Sequence, residues 1–119
     1  MKPIAQPGQT AAPGNAAPPD LTAAIDLLWV RFLPEIRQRV GLLEAAATAC
    51  AANQLSAAQR QAANAAAHKL AGTLGTFNLA RGTVLAREFE LLTTNEDAAS
   101  AQRLASIAGE LRTIVDSRK

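Results

Sequence analysis

The 119-residue chain has one cysteine, one histidine, no tyrosine and only four aromatic side chains of the Phe/Trp type, Trp29, Phe32, Phe77 and Phe89. A lone Cys50 cannot close an internal disulfide, so a reduced, cytoplasmic protein is the expectation. No apolar run approaches the length of a membrane span, and no membrane partner is expected. Met1-Lys2 is followed by prolines and glycines rather than an apolar stretch, so no secretory signal is visible. Charge of one sign is also lacking: 12 Lys and Arg stand against 10 Asp and Glu. They are interspersed, with no basic face flanked by stacking aromatics, which leaves nucleic-acid binding without support.

What is present is alanine and leucine, in a chain that is 49% hydrophobic. Both are strong helix formers, while the residues that favour strands are thinly spread. The composition predicts an all-α protein, one domain with one modest core. No internal repeat stands out.

Residues 1–19 hold five prolines and two glycines with almost no charge, and read as a disordered leader or linker remnant. From Asp20 to the end, over 20–119, the pattern is helical. Asp20 can cap a helix with Leu21, Ile25, Leu28, Trp29 and Phe32 on one face. Pro34 lacks an N–H and clashes with the preceding turn, so it is expected to end or kink this first run. The pattern resumes as Ile36, Val40, Leu43, Ala47 and Cys50, which makes Cys50 a structural residue rather than a reactive one.

Ser56 and Gln59 form a capping box for the next helix, which runs to about Gly75. Asn78 follows, a residue that tolerates the left-handed conformation of a helix end. A further helix spans roughly Arg81 to Thr93, with Leu85, Phe89 and Leu92 inward. Thr94-Asn95-Glu96-Asp97 is a turn with cap chemistry. The last helix buries Ala101, Leu104, Ala108, Leu111 and Val115. Four long amphipathic segments with short connections predict an antiparallel up-down four-helix bundle, with an additional N-terminal helix before Pro34.

His68 lies on the second of these bundle helices. At roughly 100° per residue, Ala63, Ala66, Leu70, Leu74 and Phe77 share the sector opposite it, so His68 points outward. Its neighbours on the wheel are Gln61, Asn64, Ala65, Ala71, Gly72 and Gly75, all small or uncharged. Gly72 stands one turn beyond it, at a cost of about 1 kcal/mol relative to alanine. Clearance for something bulky approaching the imidazole is the simplest reason; Gly75 can serve the same end but lies where helix-end glycine is ordinary. The bland alternative is a surface histidine above a packing glycine.

No other His or Cys lies at ligand spacing, so no metal site is expected. Nor is there a G-x-x-x-x-G-K-[ST] or G-x-G-x-x-G loop to hold a nucleotide. An exposed neutral imidazole is a nucleophile that forms a labile N–P bond. Without its own nucleotide or metal, such a histidine needs a partner protein to supply the phosphoryl group and Mg²⁺.

The run His68-Lys-Leu-Ala-Gly-Thr-Leu-Gly-Thr-Phe-Asn-Leu79, continued by Leu85-Ala-Arg-Glu-Phe-Glu90, resembles the core motif of histidine-containing phosphotransfer (HPt) domains. The motif covers about a quarter of the chain. The resemblance implies a phosphoryl carrier without its own ATP site. His68 would accept the group at Nε2 from the aspartyl phosphate of a response-regulator receiver domain, or from a hybrid histidine kinase, and pass it to another receiver. It further implies that Glu90 hydrogen-bonds His68 Nδ1 and that Gly72 leaves room beside the ring. Lys69, Asn64, Ala65, Ala71 and Gly75 are the candidate phosphate or partner contacts, and a monomer is expected. On the wheel alone, Glu88 and Glu90 flank the apolar stripe on opposite sides and either can simply be solvated.

Two departures from the family stand out. Many members have a lysine three residues after the histidine, where this chain has Ala71; Lys69 is adjacent in sequence but about 100° around the helix. Asn78 stands where glycine is frequent. The dimerisation domain of ordinary sensor kinases fits less well, because Lys69 and Leu70 follow the histidine and no proline precedes the helix end. A non-catalytic helical adaptor, and the N-terminal phosphoacceptor domain of a longer chemotaxis-type kinase, are the competing readings.

Overall fold

A computed structural model describes residues 19–94 and 100–118. Among these residues the chain forms four helices and no strand: α1 (Pro19–Ala51), α2 (Ala57–Thr76), α3 (Ala80–Thr94) and α4 (Ala101–Ser117). The leader expected over 1–19 lies outside the described residues apart from Pro19, as do Asn95, Glu96 and Asp97 of the expected turn.

The expected separate helix before Pro34 is not found. Pro34 sits inside a continuous 33-residue α1. The hydrogen bond it forfeits would end on the Val30 carbonyl, and Pro34 and Val30 are both exposed. Water can therefore satisfy that carbonyl, which lowers the usual cost of an interior proline. Asp20, expected to cap the helix, falls inside its first turn.

The apolar face expected before Pro34 also needs correction. Trp29 is buried and Ile25 half-buried, but Leu21, Leu28 and Phe32 are exposed, as are Leu27 and Val30. At about 1.5 Å per residue α1 is roughly 50 Å long, close to twice the length of α4. Its first turns therefore overhang the helices available to cover them.

The remaining pattern is one core. Ile36, Val40, Leu43 and Ala47 of α1 meet Leu70 and Leu74 of α2, Leu85 and Phe89 of α3, and Leu104, Ile107, Leu111 and Val115 of α4. Cys50 packs half-buried against this cluster, and Ala101 is only half-buried. Polar cross-links fix how the helices run. Arg60, Asn64 and Ala71 of α2 bond in turn to Thr93, Glu90 and Thr83 of α3, so partner numbers fall along one helix as they rise along the other. Glu44 and Arg37 of α1 pair in the same order with Arg112 and Asp116 of α4. Glu88 and Arg81 of α3 pair likewise with Arg103 and Glu110.

The helix ends have local causes. Ser56 Oγ accepts from the Gln59 N–H at 3.0 Å and starts α2. Ser100, which the sequence reading passed over, starts α4 by accepting from the Arg103 N–H. Asn53 and Asn78 end α1 and α2 with φ of 56° and 61°. The N–H of the next residue then reaches back, Gln54 to Ala49 O and Leu79 to Leu74 O, satisfying carbonyls the helix leaves open. Beside the α2/α3 turn, Trp29 and Phe77 meet edge-on with centroids 5.1 Å apart. Arg118 lies 4.8 Å over the Trp29 ring and also reaches Asp26, tying the end of α4 to α1.

Candidate phosphoacceptor site

α2 presents His68 on the face opposite its buried stripe of Ala63, Ala66, Leu70 and Leu74. The imidazole is 74% exposed. Its Nδ1 lies 2.9 Å from Glu90 Oε2, one helix away. A carboxylate can only accept, so Nδ1 carries the proton and donates it, and the lone pair of the neutral ring is left on Nε2. Glu88, the other acid considered from the sequence, faces α4 and pairs with Arg103. That guanidinium holds the Glu88 carboxyl below the usual carboxylate range.

Glu90 is itself fixed. Its backbone carbonyl accepts from Asn64 Nδ2 at 2.8 Å and from the hydroxyls of Thr93 and Thr94. Thr93, only 1% exposed, also bonds Phe89 O and accepts from Asn64. Asn64 precedes His68 by one helical turn, so one residue of α3 is gripped at its carbonyl and grips the histidine with its carboxylate. Asn64, expected as a phosphate or partner contact, thus spends its amide donors on this cross-link.

Beside the ring is an open cleft of about 390 Å³ lined by His68, Ala71, Gly72, Arg87 and Glu90. A Cβ added at Gly72 would meet nothing within 4 Å. The protein's own packing therefore gives no reason for glycine there. Gly75 differs, because a Cβ would come within 3.3 Å of Thr83 Oγ1, the hydroxyl that bonds Ala71 O. Gly75 accordingly serves the contact between α2 and α3. Gly82, which the sequence reading missed, does so more strictly: an added Cβ would approach Leu74 Cδ1 to 2.8 Å.

Other expected contacts are placed apart. Ala71 is 4% exposed and forms the floor of the cleft rather than an open surface. Ala65 is exposed, but together with Lys69 it lines a different groove, against Arg39 and Leu42 of α1. Arg87, which no sequence argument singled out, lines the His68 cleft instead. Among the described residues no group of three or more His, Cys, Asp or Glu could hold a metal ion. Nor is any described helix long and apolar enough to cross a membrane.

The Hpt domain family matches this chain over residues 27–118, from the exposed part of α1 to the end of α4. The chain belongs to the Hpt domain family. Members of that family are phosphotransfer carriers of two-component signalling, and the single histidine of this Hpt domain is His68. The Hpt domain is also 37% identical over 68 residues to Protein RcaC of Microchaete diplosiphon. The alignment covers 57% of this chain and 10% of RcaC, so the chain spans about a tenth of that relative. No solved structure matches it.

Proposed function

We propose that this protein is a histidine phosphotransfer module of a two-component phosphorelay, working through an antiparallel up-down bundle that carries the phosphoryl group on His68. The observation that carries this reading is the bond between His68 Nδ1 and Glu90 on an otherwise exposed ring. It favours the tautomer whose free lone pair is on Nε2 and holds the ring in one orientation.

In the forward step the Nε2 lone pair attacks the phosphorus of a receiver-domain aspartyl phosphate. The N–P bond forms as the P–O bond breaks, and the aspartate leaves as a carboxylate. The imidazole gains positive charge while keeping its Nδ1 proton, and the Glu90 carboxylate offsets that charge. Transfer to a second receiver reverses these events. Mg²⁺ belongs to the receiver, which supplies the charge neutralisation that phosphoryl transfer requires. The bundle supplies a positioned nucleophile and a surface for a small, transient interface. Gly72 and the exposed apolar side chains of α1, Leu28 and Phe32 among them, suit such a contact.

Incubation with each phosphorylated receiver of the source organism tests this. Acid-labile label should appear on the wild-type chain and be absent from His68→Gln. Label persisting in His68→Gln, or no labelling of the wild type by any receiver, would overturn the proposal.

A further inference from the structure

We infer that Arg87 is the phosphoryl-binding cation of this protein, reaching from α3 into the His68 cleft that the chain leaves without a cation on α2. The inference rests on His68 as the phosphoryl acceptor and adds a contact that the acceptor reading does not assign. Of the five residues that line the cleft, Arg87 is the cation and Glu90 the carboxylate. Arg87 and Glu90 are three apart on α3, so they share a face one turn from each other.

Two observations separate Arg87 from an ordinary solvated arginine. The first is its freedom. Arg37, Arg39, Arg81, Arg103, Arg112 and Arg118 each meet an acid, and Arg60 meets the Thr93 carbonyl. Among the described residues Arg87 has no hydrogen-bond or ion-pair partner, although Glu88 is adjacent and Glu90 lies one turn away; Arg31 shares that freedom but lines a groove of α1 with Ala24, Leu27 and Leu28, not the His68 cleft. Glu88 is taken by Arg103 and Glu90 by His68. The second is the charge the cleft must accept. A phosphoryl group on Nε2 brings two negative charges to a cleft that already holds the Glu90 carboxylate. A guanidinium presents a planar fork of donors matched to phosphate oxygens.

The free cation that α2 does carry, Lys69, is poorly placed for this. Lys69 lines the groove on the α1 side, with Arg39, Leu42 and Ala65. Ala71, the buried floor of the cleft, leaves the space into which a side chain from α3 can fold.

Phosphoramidate tests the contact without a partner protein. Its P–N bond breaks as phosphorus bonds to Nε2, and ammonia leaves. Phosphohistidine formation on the wild type, Arg87→Ala, Arg87→Lys and Arg31→Ala is followed by ³¹P NMR, with circular dichroism to verify folding. Arg87→Ala should slow labelling about tenfold, as loss of a charge-assisted contact implies. Arg87→Lys should recover part of the rate, and Arg31→Ala, which removes the same charge from an exposed site on α1, should match the wild type. In the wild type the Arg87 side-chain ¹⁵N resonances should move on phosphorylation. Unchanged labelling in Arg87→Ala, unmoved Arg87 resonances, or a loss shared equally by Arg31→Ala would overturn the inference. Phosphoramidate labelling with Arg87 dependence, but no transfer from any receiver, would instead overturn the relay and leave the Arg87 contact standing.

Discussion

Asn64 grips the carbonyl of Glu90 at 2.8 Å while the carboxylate of that same Glu90 holds His68, the residue one turn after Asn64 on α2. The imidazole is thus positioned by a closed circuit across two helices. Its stiffness comes from the backbone of α3 as well as from the Glu90 side chain.

Replacing Asn64 with leucine opens that circuit and leaves the Glu90 and Thr93 region with fewer partners. A loss of about 1–2 kcal/mol in stability is expected, read from urea unfolding. Phosphohistidine formation should slow in the same variant. Unchanged stability together with an unchanged rate would show that the amide is dispensable.

Glu90→Gln retains a side-chain oxygen able to accept from Nδ1, whereas Glu90→Ala retains nothing. The expected order of transfer rates is wild type, then Glu90→Gln, then Glu90→Ala, with the last down by about 10²-fold, in the usual range for a positioned acid–base partner. Imidazole ¹⁵N shifts should report the Nδ1–H form in the wild type and a mixture of tautomers in Glu90→Ala. A single tautomer in both proteins would contradict the orienting role.

Gly72→Ala should raise stability by about 0.5–1 kcal/mol, because an added Cβ meets open space and helical glycine is unfavourable. If the glycine exists for clearance, transfer from a receiver should fall while labelling by phosphoramidate holds. Equal effects on both donors would mean that the glycine acts on the ring rather than on the partner.

Acid should act on the ion pairs that join the helices. Arg112 holds the Glu44 carboxyl below its ordinary range through a hydrogen bond, and Arg103 does the same for Glu88. A carboxylate whose folded pKa is depressed contributes stability that is present above its unfolded pKa. That stability is lost as pH falls through the folded pKa. These side chains are partly exposed, so solvent screening leaves the Glu44–Arg112 pair a contribution of about 0.5 kcal/mol. Wild type and Arg112→Met should therefore differ in unfolding free energy at pH 7 and converge below about pH 4. A gap that persists in acid would assign the loss to packing of the arginine stem.

Much of this arrangement is legible in the sequence where one physical rule governs. The stripe from Ala63 to Phe77 repeats with helical period and is buried throughout, which fixes His68 on the opposite face. Asn78 adopts the left-handed conformation for which asparagine is suited. Pro34 was misleading because the rule about proline concerns the lost bond, whereas the outcome depends on whether water reaches the orphaned carbonyl of Val30. The overhang of α1 depends on the relative lengths of helices that contact one another only in three dimensions, so Leu21, Leu28 and Phe32 look like core in sequence. Glu88 and Glu90 could be told apart by position only through the family resemblance, and the structure separates them by their partners. Gly82 belongs to no motif, and Arg87 lies within the Leu85-Ala-Arg-Glu-Phe-Glu90 run without a role assigned to it. One is a single small residue and the other a single exposed cation, and each acquires meaning only from what faces it across the α2/α3 seam.

The cap at Asn78 turns the chain within a few residues, so His68 and Glu90 are only 22 positions apart and both lie on one helical hairpin. Contacts so close in sequence have low contact order and cost little loop-closure entropy to assemble. The His68–Glu90 pair can therefore come together from a contiguous stretch of chain before the long-range closure of α1 onto α4. Substitutions in those outer helices are then free to retune thermodynamic stability without redrawing the His68–Glu90 pair itself.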